Sequence, residues 1–542
     1  MMNLAAIHEA IASAVPDREC IVFGERRYSW AQVTERTRRL ADVLRRHGLG
    51  HHTPRSELSN WESGQDHLAL YLHNGNEYLE GMLGAFKART VPFNVNYRYV
   101  EEELVYLFDN ADAKAVIYHA AFAPTLAGIR DRLPEVKLWL QVDDGSGEAL
   151  LPGALPYEQA LAEAEPRPPE GLCPDDLYIL YTGGTTGMPK GVLWRQEDIF
   201  HAALYAGSAS GSLAEIVERA RSGGIRSLPA PPFMHGAAHW ASFNMWHIGG
   251  TVIVQSDPLR LDAHDVWSTV EREKVNHLLI VGDAFARPLL DQLARHRYDL
   301  SSLALMSSGG AILTAALKDE FLEHLPNLRI MDALGSSESG AQAATVATAG
   351  QKAQTGQFAM TPGNLVLKGD LSGAVIAGSD EEGWLAREGH IPLGYYKDEE
   401  KTRRTFPVVA GVRYAIPGDR AKVEADGTLR LLGRDSVTIN TGGEKVFAEE
   451  VEHALKHHPG VYDAVVVGTP NERFGQQVTA LVRLREGARV SEDELRGISR
   501  EHIAGYKVPR AFVFVDEIVR SPSGKADYRW ARATALEHLG KP

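Results

Sequence analysis

Apolar residues recur at helical spacing over residues 28–47, where Trp30, Val33, Leu40, Val43 and Leu44 share one side and arginines the other, which predicts a surface helix. Residues 51–66, HHTPRSELSNWESGQD, break that pattern with polar and turn-forming residues and are expected to be irregular. The apolar run 68–72 predicts a short buried strand, followed by helices over 77–89 and 101–110 and a strand over 115–118. Such alternation indicates an α/β architecture. Residues 143–175 are rich in Gly, Pro and Glu and are expected to form a loop that leads into a strand at 176–180. A helix is expected at 199–205 or longer, and buried strands at 276–281 and 303–306, the second ending in Ser307-Ser308-Gly309-Gly310-Ala311, whose glycines would let a ligand approach the backbone.

From 363 to 432 the pattern changes to short strands with turns at Glu382-Gly383 and Asp426-Gly427, which predicts a small β-rich subdomain. Beyond Arg434 helices and strands alternate again, at 448–456, 464–467, 479–484, 492–504 and 511–515. A chain of 542 residues is too long for one compact core, and the boundary is expected near 433–437, giving domains 1–433 and 434–542. No internal repeat or low-complexity tract is visible.

An apolar content of 44% with 24% charged residues is that of a soluble globular protein and makes disorder improbable. The formal charge of −14 argues against a general nucleic-acid binder, because affinity for phosphate backbones needs basic surface. Cys20 and Cys173 supply neither a disulfide framework nor metal-ligand spacing, which suits the reducing cytoplasm. The first twenty residues lack a basic leader and a continuous apolar run, so they predict an amphipathic helix and no signal peptide. Apolar runs elsewhere are strand-length, far short of the ~20 residues that span a bilayer. Peripheral membrane contact stays open.

The densest chemistry lies at residues 181–192, YTGGTTGMPKGV, where glycines, hydroxyls and Lys190 follow an apolar run. Glycine lets backbone N–H groups turn toward an anion, threonines add donors, and the lysine adds charge, so the stretch is a candidate phosphate cradle at a strand end. It is not a Walker loop, since Pro189 precedes the lysine and Gly191 follows it where that motif needs Ser or Thr. Elsewhere, Lys525 follows Ser523-Gly524, whose small residues leave a cationic arm free to swing. Glu338, after Gly335-Ser336-Ser337, offers a hard carboxylate oxygen suited to Mg²⁺. Asp419 in Pro417-Gly418-Asp419 offers a carboxylate acceptor, and Arg434 a planar guanidinium fork for oxygen acceptors.

Five segments, YTGGTTGMPKG at 181, PPFMHG at 231, LGSSES at 334, YAIPGD at 414 with LGRDSVTINTGGEKVFAEEVE at 432, and PSGK at 522, occur in this order. Together they resemble the AMP-forming acyl-adenylate superfamily of acyl-CoA synthetases, adenylation domains and luciferases, over nearly the whole chain. The resemblance implies an α/β fold, with a large N-terminal domain of two α/β subdomains plus a small β-barrel-like one, and a small mobile α+β C-terminal domain. It implies ATP, Mg²⁺ and CoA as cofactor and co-substrates, with no nucleic acid, and it leaves a homodimer open.

By that resemblance the nucleotide is held by Thr182, Gly183, Gly184, Thr185, Thr186, Lys190, Gly309, Gly310, Ala311, Asp332, Leu334, Gly335, Ser336, Ser337, Asp419, Arg434 and Lys525. Lys525 serves the adenylation step, Glu338 holds the metal, and His235 gates the space between acyl pocket and thiol tunnel. Gly442, Gly443 and Lys445 would meet CoA, and Ser436 would be the hinge of the C-terminal domain. The sequence departs from the family at Leu334, where an aromatic usually covers adenine, at Ser337 for threonine, at Pro417-Gly418 for threonine-glycine, and at Ser436, where a charged residue is usual. Beside His235, where amino-acid-activating relatives carry an aspartate, this chain has the apolar Met234, which points to an uncharged acyl chain. The expected activity is ligation of a medium-to-long or bulky, sterol-like hydrophobic acid to CoA through acyl-AMP, with an actinobacterial likeness. An acyl-AMP ligase that loads a carrier protein, and a catalytically inactive nucleotide-binding relative, are the competing expectations.

Overall fold

The computed structural model describes residues 2–182, 188–205, 212–351, 353–441, 444–471 and 474–540. The helix Trp30–Arg46 begins where Ser29 and Gln32 form a capping box, the Ser29 hydroxyl accepting from the Gln32 amide at 3.2 Å and the Gln32 side chain accepting from the Ser29 amide at 2.7 Å. Its apolar face is buried, and its arginines pair with Glu9, Glu80 and Glu35. The amphipathic N-terminal helix Leu4–Ala14 turns Leu4, Ile7 and Ile11 into the same core.

Two sheets build the α/β body among the described residues. One has five parallel strands in the order Val91–Asn94, His67–Tyr71, Ala113–His119, Leu138–Val142, Leu155–Pro156. The other has fifteen strands and changes character along its length. Its central strands Glu19–Phe23, Thr251–Val254, Arg226–Pro229, His277–Ile280, Leu305–Gly309 and Arg329–Ser336 run parallel. From the hairpin of Arg329–Ser336 with Gly340–Ala347 onward the pairing is antiparallel. The expected β-rich stretch is there, and its strands Leu429–Arg434, Asp419–Val423 and Gly383–Glu388 are hydrogen-bonded into this sheet through Gln357–Met360.

After residue 437 a separate five-stranded sheet forms around the long pair Val461–Asn471 and Gly475–Leu484, with Ala511–Phe514 parallel to the latter. Its apolar residues make clusters of their own. Two expectations need correction. The stretch 143–175 is not all loop: it holds the helix Tyr157–Glu163, whose buried Tyr157 donates its hydroxyl to Glu80 at 2.9 Å. Flanking Gly and Pro hid the helical run YEQALAE. The second correction concerns the cradle. No helix among the described residues is long and apolar enough to cross a membrane.

Candidate active site

The cradle does not leave a strand of the open parallel sheets. The strand Leu177–Thr182 pairs antiparallel with Lys190–Arg195, Thr182 opposite Lys190, in a three-stranded sheet completed by Gly394–Tyr395. Val192, read as the end of the cradle, belongs with Leu193 and Trp194 to the buried centre of a second strand. Gly183, Gly184, Thr185 and Thr186 lie outside the described residues. Lys190 forms an ion pair with Asp398, which also caps the helix Glu399–Thr405 by accepting from the Lys401 amide at 2.9 Å. Burial would raise the Asp398 carboxyl, but Lys190 and the Lys401 amide hold it below its ordinary range.

Asn94, at the end of a parallel strand, ties this hairpin to the next segment. Its amide nitrogen donates to the carbonyls of Tyr181 and Met234 at 2.8 Å each, and its oxygen accepts from the Tyr181 amide at 2.8 Å. Three buried backbone groups that the hairpin and the His235 turn leave unpaired are thereby satisfied.

The charged residues gather at one cleft. Tyr395, buried, donates its hydroxyl to Glu338 Oε1 at 2.8 Å, leaving the other carboxylate oxygen for a ligand. The Lys401 ammonium lies 4.0 Å over the Tyr395 ring, and desolvation, with Lys190 adding repulsion, lowers its pKa despite Glu338. Asp419 is buried and accepts from Arg434 Nε at 3.0 Å, a pairing set by the register of the two strands. That carboxylate raises the Arg434 pKa against desolvation, with help from Glu338.

Lys525 comes from the far end of the chain. It is open to the cleft but crowded by protein around it, so desolvation and then Arg434 lower its pKa, while Glu338 and Asp419 oppose them. Its Cε approaches Gly310 closely enough that a Cβ there would lie 3.9 Å away, and Gly310 holds φ +88°, a conformation that favours glycine. Gly309 lies opposite Ala333 in the parallel register, and Ala311 follows at the same strand end.

Of the remaining predicted positions, Asp332 is buried and held by Lys318 at 2.6 Å. Leu334 packs against the apolar cluster of the β-rich region, and the Ser337 carbonyl accepts from Trp194 Nε1 at 2.9 Å. The Ser336 hydroxyl bonds that of Ser339 at 2.8 Å, and Gly335 lies opposite Ala341 across the hairpin. Ser436 sits in the short turn Asp435–Val437, Lys445 stands 3.6 Å from Asp435, and Gly442 and Gly443 lie outside the described residues.

His235 precedes the helix Gly236–Trp246. Its Nε2 is buried without a partner among the described residues, and desolvation, then Lys525, push its pKa down to about 3, so the ring is neutral at physiological pH and a poor proton acceptor. Along the helix Ala237, Trp240 and Ala241 remain partly exposed at the edge of the core while Ala238, His239, Ser242 and Phe243 are buried, which makes a half-buried apolar stripe. Trp240 Nε1 donates to the Tyr178 hydroxyl at 3.0 Å, fixing the indole.

Sequence reasoning missed Asn94, Tyr395, Asp398 and Lys401. Asn94 left one signal, a polar residue ending the apolar run Val91-Pro92-Phe93. Tyr395 to Lys401 left none, because their role depends on a strand pairing with the cradle hairpin.

The chain matches the model of the AMP-binding enzyme family over residues 8–368 and that of the AMP-binding enzyme C-terminal domain over 450–525. It is 52% identical to medium-chain acyl-CoA ligase Mig of Mycobacterium avium over 98% of both chains. It is 44% identical to a 3-oxocholest-4-en-26-oate–CoA ligase of Rhodococcus rhodochrous, over 98% of this chain and 95% of that one. Among solved structures it superposes on the anthranilate CoA ligase AuaEII, bound to anthranoyl-AMP, with TM-score 0.84 and 22% identity over 99% of this chain and 98% of that one. The ATP-bound MatB of Rhodopseudomonas palustris gives TM-score 0.81 and 23% identity over all of both chains. Both likenesses concern the fold. With matching models along most of its length and full-length relatives well above 30% identity, the chain belongs to the AMP-binding enzyme family.

Proposed function

We propose that this enzyme is an ATP-dependent carboxylic acid–CoA ligase that works through acyl-AMP on a medium-to-long-chain or bulky, sterol-like hydrophobic acid. The observation that carries the reading is the convergence of Lys525 with Glu338, Asp419 and Arg434 at one cleft, beside Gly310. In the first step a carboxylate oxygen attacks the α-phosphorus of ATP and pyrophosphate leaves. Two anions meet there, and the Lys525 ammonium stabilises the charge that accumulates as they do. Lys190 and the hairpin orient the leaving phosphates, while Asp419 and Arg434 hold the ribose. In the second step the CoA thiol attacks the acyl carbon, its proton is lost, and AMP leaves.

Glu338 fits a magnesium role, because its free oxygen is the one hard donor a cation bound mainly by phosphates and water requires. Bound there, Mg²⁺ would supply neutralisation of phosphate charge. His235, neutral, is assigned as a steric gate beside the acyl chain and not as a base. The stripe of Ala237, Trp240 and Ala241 receives the apolar chain, in keeping with relatives named for medium-chain and cholestenoate substrates. The C-terminal domain begins near 434–437 and turns about Ser436 to bring Gly442, Gly443 and Lys445 to the thiol. Two free cysteines suit action in the cytoplasm. Competition between free CoA and a holo carrier protein for acyl-AMP made from dodecanoate tests the acceptor: acyl-CoA is expected, and transfer to the carrier alone would overturn the assignment.

A further inference from the structure

The loop that carries Lys525 is moored to the large domain by a chain of polar contacts that the roles above leave unused. Asp283, in the first turn of the helix Gly282–Arg295, accepts from the Thr314 amide with Oδ1 at 2.8 Å and from Lys456 Nζ with Oδ2 at 3.3 Å. Lys456, the last residue of the helix Ala448–Lys456, also reaches Asp463 at 3.2 Å. Asp463 takes two bonds of 2.8 Å from Arg520, and Arg520 Nη1 donates to the Gly524 carbonyl at 3.0 Å, one residue before Lys525.

These four side chains are 12–16% exposed, and their two positive and two negative charges alternate, so each ion is compensated where water is scarce. The links Lys456–Asp463 and Asp463–Arg520 join residues of the C-terminal sheet region to each other and travel with it. Of these links, Asp283–Lys456 is the one that crosses to the large domain. Gly524 itself seats close on Val281, where an added Cβ would come within 3.1 Å of the Val281 oxygen. Asp283 therefore stands two residues from the surface on which the lysine loop rests. Any rotation that carries Lys525 out of the cleft must part this pair, because Lys456 moves with the same body.

We propose that Asp283 and Lys456 form a latch between the two domains that positions Lys525 for acyl-AMP formation and opens for thioester formation. Asp283 is a positioning residue, acting through Lys456, and the inference rests on the assignment of Lys525 to adenylation.

The test uses the full-length enzyme with Asp283→Asn, which keeps a side-chain oxygen for the Thr314 amide and removes the charge. Single-turnover formation of acyl-AMP from dodecanoate and ATP should slow about tenfold, the size expected when one charge-assisted hydrogen bond is lost. Thioester formation from supplied dodecanoyl-AMP and CoA should be unchanged or faster. Lys456→Met should give the same split from the other side, and Asp283→Glu should recover most of the adenylation rate. Equal losses in both half-reactions, or no loss in either, would overturn the latch. Lys525→Ala is measured in parallel. Intact adenylation in that variant defeats the assignment of Lys525, whereas its loss there with none in Asp283→Asn defeats the latch alone.

Discussion

Tyr395 donates its hydroxyl to Glu338 at 2.8 Å while its ring carries the Lys401 ammonium 4.0 Å above it. The carboxylate is thus anchored through one of its two oxygens. The strand Gly394–Tyr395 pairs with Lys190–Arg195, so the residue that orients Glu338 rides on the same small sheet as the cradle lysine.

Removing that hydroxyl in Tyr395→Phe should leave the fold intact and free the Glu338 carboxylate to rotate. A hydrogen bond to a charged group contributes about 1.5–3 kcal/mol, so adenylation should fall roughly ten- to a hundredfold. The apparent requirement for Mg²⁺ should rise. Stopped-time assays of acyl-AMP across a magnesium titration check both.

Lys525 and Lys190 should differ in weight. Lys190 is already paired with Asp398, whereas Lys525 faces the cleft amid Glu338, Asp419 and Arg434. Lys525→Ala should lose about 10²–10³ in adenylation rate, the usual cost of a transition-state charge partner. Lys190→Ala should lose less. Single-turnover rates at saturating ATP give the order directly, and a larger loss from Lys190→Ala would reverse it.

Asn94→Ala strands three buried backbone groups, the Tyr181 amide and the carbonyls of Tyr181 and Met234. Unfolding free energy should drop by roughly 2–4 kcal/mol, since each unsatisfied buried group costs about 1–3 kcal/mol and some will find water. Urea titration measures this, and adenylation should fall with it because the cradle hairpin loses its tether.

Glu449 supplies a pH prediction. It lies in the first turn of the helix Ala448–Lys456 against Gly433, with Oε2 buried and without a partner among the described residues. Burial first, then Glu452 and Asp419, push its carboxyl up to about 8 from an ordinary 4.5, with Arg434 pulling the other way. Between those values the folded chain holds a proton that the unfolded chain lacks, so stability falls as pH rises through the window, and the cost is complete above about 8. Glu449→Gln should therefore melt above the unmodified enzyme at about pH 8.5 and match it near pH 4.5. Melting curves at the two pH values check the sign, and a variant that gains only at low pH would refute it.

How much of this was legible beforehand depends on what each residue needs around it. Lys525, Glu338, Asp419 and Arg434 could be named as candidates because each sits in a short local motif, and the strand register then sets Asp419 opposite Arg434, within electrostatic reach of Glu338 and Lys525. The helices Trp30–Arg46 and Glu101–Asn110 were readable from periodicity alone. The strand after the cradle was not, because Val192-Leu193-Trp194 is too short an apolar run to separate from the glycines before it. Asn94, Tyr395 and Asp283 were invisible for a different reason: each acts on a partner 57 or more residues away, and only the folded register brings them together.

The most direct test is a single-turnover reaction of enzyme, dodecanoate and Mg-ATP with CoA withheld, followed by a CoA chase. Dodecanoyl-AMP and pyrophosphate should accumulate in step, and the chase should convert the adenylate to dodecanoyl-CoA with release of AMP. Formation of ADP and phosphate, or an adenylate that the CoA chase leaves unchanged, would contradict the account.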